Sequence, residues 1–242
     1  MEYFDIFILI TTLVPIMAYL LYIYIRDEYK KEPMRMLLLA VLFGIIAATA
    51  TIFVDYPELE AFKQHTFYDW WNCIFTAFRI YAIPAEVAKF LVLALFLLLN
   101  KYYDEYVDAI VYSVCIALAF VGLKNGWFLY FNVDGQYYRG FLTALVLIPA
   151  HFTIGVVMGY YFGLARLRQK KIYYAVALFA SILADGLFCS LFLWIDDQVS
   201  FDFIAIAALC LLGIFMHSIT HHANIEHLIS EDINSGNVST DK

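Results

Sequence analysis

Long apolar runs dominate this chain, and its organisation is read from where they stop. Continuous apolar stretches cover residues 4–25, 34–54, 73–100, 106–131, 140–165, 172–195 and 202–220. Each reaches the roughly 20 residues that a helix needs to cross the hydrocarbon core of a bilayer. None alternates polar and apolar positions over about ten residues, as a membrane β-strand would. The pattern predicts an all-α polytopic membrane protein of seven transmembrane helices, built as a single domain over residues 1–222. Residues 223–242 are polar, end in "NSGNVSTDK", and read as a disordered cytoplasmic tail.

The third run departs from the rest. Apolar and aromatic residues extend from Phe67 to Asn100, about 50 Å as a continuous helix and so longer than a bilayer is thick. Pro84 lies within it, and a proline lacks an N–H and clashes with the carbonyl four residues back. A kink is expected there, with "YDWWN" (Tyr68 to Asn72) as an interfacial aromatic anchor. Counting the part before Pro84 separately would give eight helices. The tripeptide "IPA" recurs at Ile148 to Ala150, which would free the carbonyls of Ile80 and Leu145 in two matched kinks. In the fifth run Gly155, Gly159 and Gly163 stand at four-residue intervals, a face for close helix packing.

Composition excludes a water-soluble fold: 64% of residues are hydrophobic, 15% are charged, and mean hydropathy is +0.76. The net charge of −7 misleads if read globally: nucleic acid would need a basic surface and is not expected as a partner, while membrane orientation depends on where Lys and Arg fall. Arg26, Lys30, Lys31 and Arg35 crowd the first connection, Lys101 begins the third, and Arg166, Arg168, Lys170 and Lys171 fill the fifth. The second (Asp55, Glu58, Glu60, Asp69) and the sixth (Asp196, Asp197, Asp202) are acidic. Basic connections belong on the cytoplasmic side, so the N-terminus is expected outside and the C-terminus in the cytoplasm. The first run passes directly into Arg26 and reads as a retained span, not a cleaved signal. Cys73, Cys115, Cys189 and Cys210 show no CxxC spacing and read as small buried residues.

Charge inside a membrane span is costly and marks a site by default. Glu86, Lys89, Lys124, His151 and Asp185 all fall within apolar runs. Measured from each span's cytoplasmic end, Glu86 and His151 lie ~21 Å deep, Asp185 ~19 Å and Lys124 ~26 Å. Four helices thus present ionisable groups at nearly one depth, with Asn125 beside Lys124. Glu86 and Lys89, three residues apart, share a helix face. A second polar set, "HSITHHANIEH", puts His217 and His221 one turn apart, a metal-like spacing without a carboxylate partner on its own side.

At these residues the chain resembles the PrsW family of bacterial intramembrane proteases, related to the CAAX-prenyl-protease group of membrane glutamate proteases. "RDEYKKEP" (Arg26 to Pro33) is similar to the family's Glu-Pro segment, "IPAEVAKF" (Ile83 to Phe90) to its Glu-Glu-x-x-Lys motif, and "DEYVDAIVY" (Asp104 to Tyr112) to its Asp-containing helix entry. "LAFVGLKNGWFLY" (Leu118 to Tyr130) resembles its Glu-Asn motif, "IPAHFTIGVVMGYYFGLAR" (Ile148 to Arg166) its His-containing span, and "LADGLF" (Leu183 to Phe188) its final His-Gly motif. The resemblance implies a multi-pass protein of the bacterial plasma membrane that hydrolyses peptide bonds in single-pass membrane proteins such as anti-sigma factors. It implies glutamates and histidines that activate water, as general bases or around a metal.

This chain departs from the family at those same positions. Ala85 stands for the first Glu, Lys124 for the Glu before Asn125, and Asp185 for the last His, while Glu86, Lys89, Asn125 and His151 are retained. Three readings follow: a catalytically impaired homologue or pseudoprotease, an active hydrolase using Glu86 and His151 alone, and a transporter or channel with a charged layer. No cofactor is expected, and a divalent metal is disfavoured because Lys124 would repel it. The changes at Lys124 and Asp185 have opposite sign, which predicts a salt bridge between them.

Overall fold

The computed structural model describes residue 10 and residues 13–22, 32–62, 70–100, 102–103, 106–132 and 137–198. Every element among them is helical. A short apolar helix α1 (Leu13–Tyr22) is followed by α2 (Met34–Phe62), α3 (Trp70–Thr76), a π-helical segment (Ala77–Ala82), α4 (Ile83–Leu99), α5 (Tyr106–Asn132), α6 (Tyr137–Leu167) and α7 (Ile172–Gln198). Five stretches are long and apolar enough to span a membrane: Met34–Val54, Trp70–Leu99, Tyr106–Trp127, Val146–Leu167 and Ile172–Trp194. They match the second to sixth expected spans. Of the first expected span the described part is mainly α1; the seventh span, Cys210, His217, His221 and the tail lie outside the described residues. Helices α2 and α7 run on past their apolar runs, through Asp55 and through Asp196 and Asp197.

Helix α5 is the centre of the bundle. Of its span 83% is buried, against 33% for the α2 span and 28% for the α7 span, so α2 and α7 carry most of the outward-facing apolar surface. Tyr106, Ile110, Val114, Leu118 and Val121 of α5 recur at helical spacing and meet Ile148, Phe152 and Val156 of α6. Its opposite face packs Ala109, Tyr112, Cys115 and Ile116 against Leu93, Phe96 and Leu97 of α4 and Ala40 of α2. Lipid tails are as apolar as these side chains, so association depends on how closely backbones approach. The expected glycine face of α6 does this. A Cβ at Gly155 would stand 2.9 Å from the Ala117 methyl, one at Gly159 2.6 Å from the Ala109 carbonyl, and one at Gly163 would collide with the Tyr106 carbonyl. Gly44 brings α2 against the Ile116 carbonyl in the same way.

Three connections gather at one end of the bundle. The Tyr112 hydroxyl donates to Glu32 Oε2, tying the chain before α2 to α5. Asn100, at the C-terminus of α4, accepts the Tyr102 N–H at 2.9 Å. Arg166 donates to the Tyr103 carbonyl and lays its guanidinium 4.0 Å from the Tyr103 ring centroid. Burial pushes the Tyr103 hydroxyl up to about 12, with Arg166 pulling the other way. Thus Glu32, the Asn100–Tyr103 turn and Arg166 lie towards one end of the bundle.

Replacing Gly159 by Leu forces α6 off α5 and is expected to cost about 1–3 kcal/mol, the usual penalty of overpacking, read as a lower unfolding midpoint in detergent. Gly126→Ala, where a Cβ meets nothing within 4 Å, is the control and leaves the midpoint unchanged or raised.

Candidate functional site

Pro84 shapes the approach to the site. Its missing N–H and its ring would leave the Ile80 carbonyl unpaired and crowded. The helix widens in response: residues Ala77–Ala82 are π-helical, and the Ile83 N–H reaches back five residues to the Phe78 carbonyl. Such bulges commonly mark functional sites. The second "IPA" behaves differently, since α6 continues as α-helix through Pro149 and the Thr153 hydroxyl donates to the Pro149 carbonyl at 3.0 Å. The two prolines are therefore not a matched pair. After the bulge, Glu86, Lys89, Leu93 and Phe96 are buried along α4, so a carboxylate and an ammonium lie on its inner face.

His151 enters from α6 and Asp185 from α7, both buried. Gly186 lets the Phe78 ring press onto α7, where any Cβ would collide with it, and this seats the π segment beside Asp185. The result is a cluster of Glu86, His151 and Asp185 whose ligand-type atoms all lie within 4.8 Å of one another. Lys89 Nζ is in ion-pair contact with Glu86 Oε1 and 3.3 Å from His151 Nδ1. An ammonium has only donors, so in this contact Nδ1 accepts and the imidazole proton sits on Nε2. Cys189, one turn beyond Asp185, places its Sγ 3.5 Å from Oδ1 as a weak donor.

Phe120 of α5 is a platform under the cluster. Its ring centroid lies 5.1 Å from Lys89 Nζ, 5.4 Å from Lys124 Nζ and 6.1 Å from the His151 ring. Both ammoniums are within cation–π reach. Ala85 closes an apolar corner with Ala47, Ala48 and Phe120. Asn125 is buried with Nδ2 unpartnered. Of the seven candidates, Glu86, Lys89, His151 and Asp185 meet directly, Lys124 and Ala85 join through Phe120, and Asn125 lies within two turns of that ring on α5.

Asp185, expected to pair with Lys124, lies beside Glu86, His151 and Cys189, and Lys89 forms a buried ion pair with Glu86. Lys124 lies about a helical turn further out by depth and sets its ammonium towards Phe120, from where its charge still bears on His151. With the Lys89 ammonium against two of the three donor residues, the residues present do not fit a divalent ion, although Glu86, His151 and Asp185 by themselves could supply its ligands.

A sequence profile described as PrsW family intramembrane metalloprotease matches residues 32–218, which takes in every residue of the cluster. The chain belongs to the PrsW family. Protease PrsW of Bacillus subtilis (strain 168) is 30% identical over 158 residues, 65% of this chain and 68% of that protein. Protease PrsW of Geobacillus kaustophilus (strain HTA426) is 30% identical over 167 residues, 65% of this chain and 66% of the relative. For that of Clostridioides difficile (strain 630) the figures are 27% over 189 residues, 76% and 77%. No solved structure matches. Five spanning helices and bacterial PrsW relatives make this a multi-pass protein of the bacterial plasma membrane.

Sequence reasoning missed Phe120, Cys189 and the contact of Lys89 with His151. The first two carried a signal, because Phe120 stands four residues before Lys124 and Cys189 four after Asp185, one turn away on the same face. Removing one member of a buried pair strands the other, at about 3–5 kcal/mol. Lys89→Met is therefore expected to lower stability by that amount in a denaturant titration, and Glu86→Gln with Lys89→Met to recover most of it. Additive losses in the double variant would mean that the pair is not coupled.

Proposed function

We propose that this PrsW family member hydrolyses peptide bonds in the transmembrane segments of single-pass membrane proteins, such as anti-sigma factors, with an impaired active site. One observation carries the reading: Glu86, His151 and Asp185 converge, buried, at membrane depth, and Lys89 already engages two of them. Hydrolysis needs a base for water, donors for the oxyanion and an acid for the leaving amine. In this reading a carboxylate of Glu86 or Asp185 takes a proton from water as the water oxygen attacks the carbonyl carbon. Asn125 Nδ2, buried and unpartnered, and the Lys124 ammonium receive the developing negative charge. The proton then passes to the amide nitrogen as the C–N bond breaks, leaving a carboxylic acid and an amine.

The impairment has a physical cause. A carboxylate paired to an ammonium is a poorer base, and Ala85 cannot supply a second one in its place. Reconstituted protein is expected to cleave a library of single-pass substrates slowly, with cleavage abolished by Glu86→Gln. Joint replacement of Lys124→Glu and Asp185→His, with and without Ala85→Glu, is expected to raise the rate by about 100-fold, the lower end of what a positioned acid or base contributes. Equal rates in the unaltered and altered chains, both lost with Glu86→Gln, would overturn the impairment and favour a fully active hydrolase built on Glu86 and His151.

A further inference from the structure

Carboxylate, imidazole and carboxylate are a donor set that suits zinc and other first-row ions. Glu86, His151 and Asp185 supply it from three helices within 4.8 Å. The group set between two of these donors is Lys89. Its Nζ touches Glu86 Oε1 and stands 3.3 Å from His151 Nδ1, while a zinc ion would need a Glu86 oxygen and a His151 ring nitrogen at about 2.0–2.2 Å. The ammonium already engages one such atom of each residue.

Charge points the same way. The two carboxylates of the cluster are matched in number by two ammoniums, those of Lys89 and Lys124, both held against Phe120. A divalent ion would leave an excess of two positive charges in a buried chamber, where each uncompensated ion costs several kcal/mol. Glu86 and Asp185 face one another across the contact of α4 with α7, and Lys89 is in contact with Glu86.

We infer that Lys89 is the built-in cation of this site: its ammonium bridges Glu86 and His151 in the place of a divalent metal, so the chain keeps its cluster assembled without one. The inference rests on the site assigned above and not on turnover, so a chain that never cleaves a peptide leaves it standing. It also gives Lys89 a role other than neutralising Glu86. Through Nδ1 it joins α4 to α6, and its removal frees the Glu86 oxygen and the His151 nitrogen that it contacts.

The test uses purified full-length protein in detergent with Co2+ as the probe, read as ligand-field absorption and as bound cobalt per chain. His217→Ala and His221→Ala are present in every variant, so that their metal-like spacing does not contribute. Unaltered Lys89 is expected to admit no Co2+ whose binding depends on Asp185. Lys89→Met is expected to take up about one Co2+ per chain with an absorption typical of mixed nitrogen and oxygen ligands, lost again with Asp185→Asn or His151→Ala. Lys89→Met also strands Glu86, so if that variant does not fold, the protein with Lys89 intact decides alone. One Co2+ per chain bound with Lys89 intact and abolished by Asp185→Asn overturns the proposal; none bound, or binding indifferent to Asp185→Asn, upholds it. A folded Lys89→Met that takes up no Co2+ also overturns it.

Discussion

A single ammonium in contact with a carboxylate on its own helix and an imidazole on another sets the geometry of this molecule at membrane depth. Neither Glu86 nor Lys89 could be buried alone, since each ion withdrawn from water costs several kcal/mol. Together, three residues apart on α4, they form a unit that a low-dielectric interior tolerates. His151 is then held from α6 by the same ammonium, and Asp185 from α7 faces a carboxylate that is already matched. Without Lys89, two carboxylates on different helices would oppose each other with no cation between them.

That contact is possible only because backbones come close elsewhere. Gly155, Gly159 and Gly163 bring α6 onto the α5 backbone without intervening side chains, and this seats His151, one turn before Gly155, against Phe120 of α5. Phe78 pressed onto Gly186 does the same for α7. The π segment joins the two effects: it relieves Pro84 and carries Phe78 and the buried face of α4 in a single helical stretch. Packing fixes depth and separation, and the charges then pair within what packing allows.

Much of this was legible in the sequence, for identifiable reasons. Five spans appear where apolar runs of bilayer length predicted them, because a lipid-exposed helix has little freedom in composition. The shared depth of Glu86, His151 and Asp185 followed from counting along helices of fixed rise, and the three meet. Rotation about each helix axis is harder to read from a run that is apolar all round. Depth gave no sign of which side chains would meet within that layer: the approach of Lys124 to Phe120 and of Lys89 to His151 depends on rotation. The π bulge at Ala77–Ala82 was likewise beyond a rule that knows only that proline disturbs a helix, and it distinguishes Pro84 from Pro149 despite identical neighbours.

The departures from the family pattern are intelligible as one change of charge rather than three separate losses. The pattern that the resemblance implies, Glu-Glu-x-x-Lys, Glu-Asn, His and His, carries three carboxylates against one ammonium, a surplus of two negative charges. On the motif resemblance, Ala85 stands for one carboxylate, Lys124 for a second and Asp185 for an imidazole. The remaining charges cancel among themselves. Any one of these substitutions alone would leave a buried charge unmatched, whereas the three together leave none, and this is why they can coexist in a chamber that α5, α6 and α4 close off from water. A carboxylate reintroduced at position 85 would have to enter the apolar corner formed by Ala47, Ala48 and Phe120, so changes at Lys124 and Asp185 come before Ala85 in any route back towards the family pattern.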